Sequence, residues 1–278
     1  MKQMYSLAHL TVLNCAPPEM IYIAAMVGYD FVSLRLIPLG TPGERRYLLS
    51  EDKEMLRQTR TALAATGIKV HDVELARIVD GVDPKSYRPA FEVAADLGAR
   101  HILSSIWSTD RSYVIDAFSE LCDLAKSLGL TVNLVFVPIA AVWNLAGSID
   151  ILRAVNRDNA GVMVDTMHFT YSRVKLEELD QVPREWFRFA HLCDAPGEIP
   201  AAKQDLVSVI REGRLYVGEG GVDVAGILNR IPQIPYSIEL PNQARVQEFG
   251  YAEHARRCLQ SAKDYFAQHP RGSADIAA

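Results

Sequence analysis

The sequence predicts a single closed (β/α)8 TIM barrel, and three observations carry that expectation. Short, near-continuously apolar segments alternate with amphipathic ones along almost the whole chain, which is how parallel strands covered by helices on both faces read. Eight such pairs can be counted, the number at which an α/β sheet closes on itself. No Pro-, Gly- or Ser-rich linker divides the 278 residues into halves, so one domain is expected over residues 1–268, a size ordinary for this barrel. The tail "RGSADIAA" is small and polar, and residues 269–278 are expected to be disordered.

Each unit follows in order. After the apolar start "MYSLAHLTVL", the run "APPEMIYIAAMVGYD" places prolines at a helix entry, apolar residues at helical spacing and Gly28 at the exit. "FVSLRL" resumes as a strand, followed by the helix "EDKEMLRQTRTALAATG" and the strand "IKVHDVEL". The pairs continue through "SYRPAFEVAADLG" with "HILSSIW", "SYVIDAFSELCDLAKSLG" with "TVNLVFVP", and "SIDILRAVNRDNA" with "GVMVDTMH". A weaker helix in "VKLEELDQV" leads to "WFRFAHLCD"; then come "VDVAGILNRI", "YSIELP" and a last helix from about Tyr251 to Phe266. The stretch from Asp194 to Gly221 is too long for an ordinary βα connection and is a candidate lid.

Composition excludes several partners. A net charge of −5, with 29 basic and 34 acidic residues and no Lys/Arg run, gives no footprint for nucleic acid. No long apolar stretch or cleavable leader marks a membrane or exported protein. Cys15, Cys122, Cys193 and Cys258 are far apart with no C-x-x-C pair, which suits a cytoplasmic protein without disulfides.

In a closed α/β barrel the active site lies at the C-terminal ends of the strands. His9, Arg35, Glu74, Trp107, Asp165 with His168, His191 with Asp194, and Glu239 end seven of the eight strands, six with ionisable groups and the fourth with an indole; "TVNLVFVP" delivers neither. Singly, each has a structural explanation: His9 or His191 as a hydrogen-bonded core histidine, Arg35 with Glu74 as an ion pair, Asp165 as an Asx turn closing its strand. Charged groups on buried strands are costly unless paired or coordinated, so their convergence points to chemistry. Asp165, His191 and Glu239 together form a donor set suited to Mn²⁺, Mg²⁺, Co²⁺ or Zn²⁺.

These segments resemble the sugar phosphate isomerase/epimerase family of xylose isomerase-like TIM barrels. The landmarks are "HLTVL", "VSLRL", "DVEL", "VDTMH", "FAHLCDA", "YVGEGGVDV" and "IEL", spread over nearly the whole chain. The resemblance implies a small-molecule substrate, a homodimer, and one divalent metal held by four ligands. Three of those ligands fall on Asp165, His191 and Glu239. The fourth, a strand-five glutamate, is replaced by Val135 in "LVFVP", and Asn133, about 7 Å further down the strand, is a poor substitute. The implied catalytic residues are Glu239, His168, His191 and Asp165; His9, Arg35, Glu74, Trp107 and Arg214 are implied to bind substrate.

Three readings stay open. In the first, a metal-assisted isomerase or lyase acts on a small polyhydroxylated carbonyl compound or cyclic acid, with Glu239 or His168 as the single base. The second is a metal-free acid/base site, and the third a binding barrel without catalysis. A resemblance to endonuclease IV is weaker, since His101 begins its strand and no basic face is evident. Arg45 and Arg46 are candidates to meet a substrate anion, Glu219 falls with Arg214 in the candidate lid, and Trp107, Phe136 and Trp143, with Val135, are candidates for an apolar wall.

Overall fold

The computed structural model describes residues 2–40 and 43–271. The expected barrel is present. Its strands are β1 (Tyr5–Ala8), β2 (Phe31–Arg35), β3 (Lys69–Ile78), β4 (His101–Ile106), β5 (Thr131–Val135), β6 (Ala160–Asp165), β7 (Phe187–Leu192) and β8 (Tyr236–Ile238). All neighbours pair in parallel, and β8 closes on β1 through Ser6↔Ser237 and Leu7↔Ile238.

The intervening helices are α1 (Pro17–Val27), α2 (Lys53–Thr66), α3 (Arg88–Asp96), α4 (Arg111–Ser127), α5 (Leu145–Val155), α6 (Thr166–Tyr171), α7 (Lys203–Glu212), α8 (Val224–Arg230) and α9 (Gln243–Gln268). Local chemistry explains their ends. Asp52, Asp110 and Asn144 accept backbone N–H groups at the starts of α2, α4 and α5, satisfying donors that have no partner within the helix. Gly28, at φ 96°, closes α1 in the left-handed conformation that a Cβ disfavours.

The helices differ from the expected eight in three places. "VKLEELDQV" forms only a 3-10 turn, Leu176–Gln181, because α6 has already started at Thr166 and taken the helical position after β6. The stretch expected to be irregular, from Asp194 to Gly221, contains α7. The last helix starts eight residues earlier than expected, at Gln243, and breaks at Gly250, whose φ of 74° and ψ of 169° are not helical. Residues 272–278 of the expected disordered tail lie outside the described residues, while Arg271 donates to the Tyr236 hydroxyl at 3.1 Å.

Two rungs of inward side chains set up the site, because successive inward positions on a strand are two residues apart. Near the N-terminal ends Ser6, Ser33 and Ser237 are linked by hydroxyl hydrogen bonds of 2.8 and 3.0 Å, and Ser33 donates to Asp72. Below them His71 packs between His101, Phe189 and Phe31, with ring centroids 4.9 to 5.1 Å apart. One step toward the C-terminal ends lie Arg35, Glu74, Ser105, Val135, Asp165, His191 and Glu239.

Candidate active site

Asp165 illustrates how one residue serves fold and chemistry together. It caps α6 by accepting the His168 backbone N–H at 2.9 Å through Oδ1, so the Asx-turn explanation holds. Its Oδ2 faces the barrel axis and accepts from Arg214 Nη1 at 2.6 Å. Thr166 ties the same strand end to β7, donating to the Cys193 carbonyl at 2.6 Å.

His191 and Glu239 complete the cluster. His191 Nδ1 lies 3.2 Å from Glu239 Oε2 and 3.9 Å from Asp165 Oδ2. Donor atoms of Asp165, His191 and Glu239 all fall within 4.8 Å of one another, and all three residues are buried. Arg214, 1% exposed, reaches Glu239 Oε2 with Nη2 at 3.0 Å while Nη1 also meets the Glu239 carbonyl.

Electrostatics follow from this packing. Burial alone would lower the His191 pKa, but the Glu239 carboxylate bonded to it outweighs that and lifts it to about 9. Burial opposes ionisation of Glu239 too, yet His191 and Arg214 hold its carboxyl well below the usual range. Asp165 is likewise lowered, against burial, by Arg214. For His168 burial outweighs the pull of the Asp165 carboxylate and drops it to about 4, leaving it neutral with Nδ1 unpartnered. Glu74 goes the other way: burial raises its carboxyl to about 7 despite the Arg35 guanidinium 3.1 Å away.

These groups line a cavity of about 550 Å³ at the C-terminal mouth, bordered by Arg35, Glu74, Asp165, His168, His191, Arg214 and Glu239 on one side. Trp107 borders it as well, its indole N–H held by Ser105 at 2.9 Å. Of His9, Arg35, Glu74, Trp107 and Arg214, only His9 is not in this lining. Its Nε2 donates to the Cys15 carbonyl at 2.9 Å, its Nδ1 accepts the Arg35 backbone N–H at 3.1 Å, and burial lowers it to about 4. His9 therefore braces the ends of β1 and β2.

Of the expected apolar wall, Val135 and Trp107 border the cavity and Phe136 and Trp143 do not. Phe136 packs into the outer core and Trp143 is 50% exposed. The wall consists of Leu103, Val135, Val137 and Met163, a cluster separate from the main core, with Leu75 and Ile139 beside it. Their signal was available: Val137 is two residues from Val135, and Met163 two from Asp165.

Several loop candidates serve the scaffold. Asp194 accepts the backbone N–H groups of Ala195, Gly218, Gly220 and Val222 at 2.8 to 3.0 Å, pinning both ends of the candidate lid. Between the pins, Ile210, Arg211 and Glu212 border the cavity. Glu219 pairs with Arg245 at 2.7 Å, while Arg45 and Arg46 are exposed and outside the cavity lining. Glu44, not singled out in the sequence, reaches under the mouth to Arg35 at 3.4 Å.

Residues 21–262 match the xylose isomerase-like TIM barrel family. The chain belongs to that family. The family member named inosose isomerase in Bacillus subtilis (strain 168) is 25% identical to it over 187 residues, 64% of this chain and 65% of that protein. That match spans just under two thirds of the relative's length. The inosose isomerase of Bacillus velezensis is 23% identical over 259 residues, covering 85% of this chain and 86% of the other. A crystal structure of the IolI protein with a bound zinc atom superposes with a TM-score of 0.79 at 19% identity, covering 96% of this chain and 99% of that one. At that identity the superposition speaks for the fold alone.

Proposed function

We propose that the chain is a metal-assisted isomerase that moves a carbonyl between neighbouring carbons of a polyhydroxylated cyclic ketone. The observation that carries this reading is the convergence of Asp165, His191 and Glu239 at the edge of a cavity of substrate size. Similarity to inosose isomerases supports the substrate class, an inosose being such a ketone.

The donor set fits a divalent cation: two carboxylates and one imidazole from three strand ends would hold it, and Val135 would add no ligand. The imidazole favours Zn²⁺, Co²⁺ or Mn²⁺ over Mg²⁺. When bound, such an ion polarises a ketone oxygen and acidifies the adjacent C–H. Asp165 and Glu239 would hold the ion through their carboxylates and His191 through its neutral imidazole. Arg214 keeps both carboxylates ionised and oriented. His168 takes the C–H proton on its imidazole, because it is neutral and has a nitrogen without a partner, while Glu239 Oε2 is committed to His191 and Arg214.

A metal-free acid/base site is the second reading, and Arg214 favours it, since its guanidinium already neutralises the carboxylates that would ligate a metal. For either reading we place the protein in the cytoplasm: its four cysteines are free and buried, and no described helix is long and apolar enough to cross a membrane.

The test is turnover of an inosose followed by proton NMR, before and after exhaustive chelation and with Zn²⁺ or Mn²⁺ restored, together with folded His191→Ala and Glu239→Gln variants. Activity should vanish on chelation, return with metal, and be lost in both variants. Activity that survives chelation moves the conclusion to the metal-free site. Near-normal turnover in either variant overturns the site assignment.

A further inference from the structure

Glu74 is set apart from every other carboxylate of the mouth. Its side chain is 1% exposed and borders the cavity, one oxygen accepts from Arg35 Nη2 at 3.1 Å, and Oε1 has no partner at all. Arg35 also holds Glu44, at 3.4 Å, so two buried carboxylates share one guanidinium. A buried carboxyl whose guanidinium partner is shared keeps its proton more readily.

The groups facing Glu74 support that state. Asp72 lies two residues below it on β3, and Glu239 lies across the mouth; both are acidic and oppose its ionisation, while Arg35 and His191 favour it. Burial is the largest influence and carries the carboxyl to about 7, where it can give and take a proton under working conditions. A buried, unpartnered carboxyl oxygen beside a cavity is costly for a scaffold to keep, and the ion pair with Arg35 does not need it.

We propose that Glu74 is a second catalytic residue, a carboxyl that passes the hydroxyl proton between the two oxygens of an α-hydroxyketone. This rests on the isomerase reading above. In the first half His168 takes the C–H proton as the Glu74 O–H bond breaks and its proton goes to the ketone oxygen, giving an enediol. In the second half the Glu74 carboxylate takes the proton of the other enediol hydroxyl, the carbonyl forms there, and His168 returns its proton to the former ketone carbon. Both residues end as they began, and no electron is gained or lost overall. Arg35 acts as a positioning residue, fixing the carboxyl through the oxygen that does not carry the proton.

The experiment compares the metal-loaded wild type with Glu74→Gln and Glu74→Asp, using an inosose in deuterated water. Wild-type turnover is measured first, and none would sink the isomerase reading on that substrate. Given turnover, Glu74→Gln should slow interconversion roughly 100-fold or more with KM within a few-fold. Deuterium wash-in at carbon should fall less than product formation, because an enediolate can still form and return through His168 while the proton transfer between the two oxygens is lost, and Glu74→Asp should recover part of the rate. Glu74→Gln turnover within threefold of wild type overturns the proposal, as does a proportional loss of wash-in and product with a lowered melting point, which marks a structural clamp. A substrate-free arm reads infrared difference spectra near pH 6. A protonated-carboxyl band present in the wild type and missing in Glu74→Gln supports the proposal, and an unchanged band overturns it whether or not the inosose is turned over.

Discussion

Replacing Arg214 by methionine isolates the cation that the chain itself supplies to the site. Methionine keeps much of the stem volume but removes every N–H donor, so Asp165 and Glu239 lose contacts of 2.6 and 3.0 Å, and the Glu239 and Ile210 carbonyls lose theirs. Breaking a buried pair from one side costs about 3–5 kcal/mol, since the remaining charge is left uncompensated. Unfolding entropy of about 2.1 cal/mol/K per residue gives roughly 0.6 kcal/mol/K for 278 residues. The melting temperature should therefore fall by about 5–9 °C in chelator. Divalent metal should then restore more stability to the variant than it adds to the wild type, because two carboxylates relieved of the guanidinium bind a cation more tightly; about 2.7 kcal/mol is gained at a metal concentration of 100 Kd. Calorimetric melts with chelator and with Zn²⁺ measure both effects. A variant melting within about 1 °C of wild type in chelator, or gaining less from metal, refutes the view of Arg214 as the resident counter-ion.

Val135→Glu adds a carboxylate beside Met163 on the cavity wall; metal affinity by titration calorimetry should tighten at least about tenfold, and an unchanged affinity means that position 135 does not face the ligand trio. Acid should destabilise the fold, because burial lowers His9, His168 and His254 to about 4 and His101 to about 3. Between the unfolded value near 6.5 and those folded values the unfolded chain binds more protons, so stability falls as pH falls, by up to about 1.4 kcal/mol per pH unit for each histidine. Glu74, raised to about 7, works the opposite way: its contribution is full below its unfolded value and is lost as pH rises through 7. Urea melts at pH 7.5 and 5 should show the net loss in acid, and equal stability at the two would contradict the four neutral imidazoles.

How much of this was legible in the sequence depended on where each residue's cost is visible. A charged side chain at the end of an apolar run is conspicuous, and Asp165, His191 and Glu239 announce themselves in that way. The barrel is legible for a related reason, since strands covered on both faces have no polar side to hide their period. Arg214 is harder: it lies beyond a helix in what reads as a loop, and nothing local says that its guanidinium passes under the mouth to two strands. Glu44 is the same case. Its partner Arg35 is nine residues away across a turn, and only the folded chain reveals that Arg35 serves two carboxylates.

Phe136 was misplaced for a simpler reason, which is strand parity. Aromatic side chains suggest a wall by size, but on β5 and just beyond it only the odd positions look inward: Asn133, Val135 and Val137 share the axis face, and Phe136 goes to the outer core. The consequence reaches the chemistry. With Leu103, Val135 and Met163 contributed by the adjacent strands β4, β5 and β6, the ionisable groups are confined to the arc from β6 through β8 to β3. A ring hydroxyl turned toward the aliphatic wall would be buried without a partner, at a cost of about 1–3 kcal/mol. On the proposed reading a cyclic ketone would therefore enter with its carbonyl and neighbouring hydroxyl toward the charged arc far more favourably than the reverse, so Val135, which offers no metal ligand, would also help choose which edge of the substrate meets His168 and Glu74.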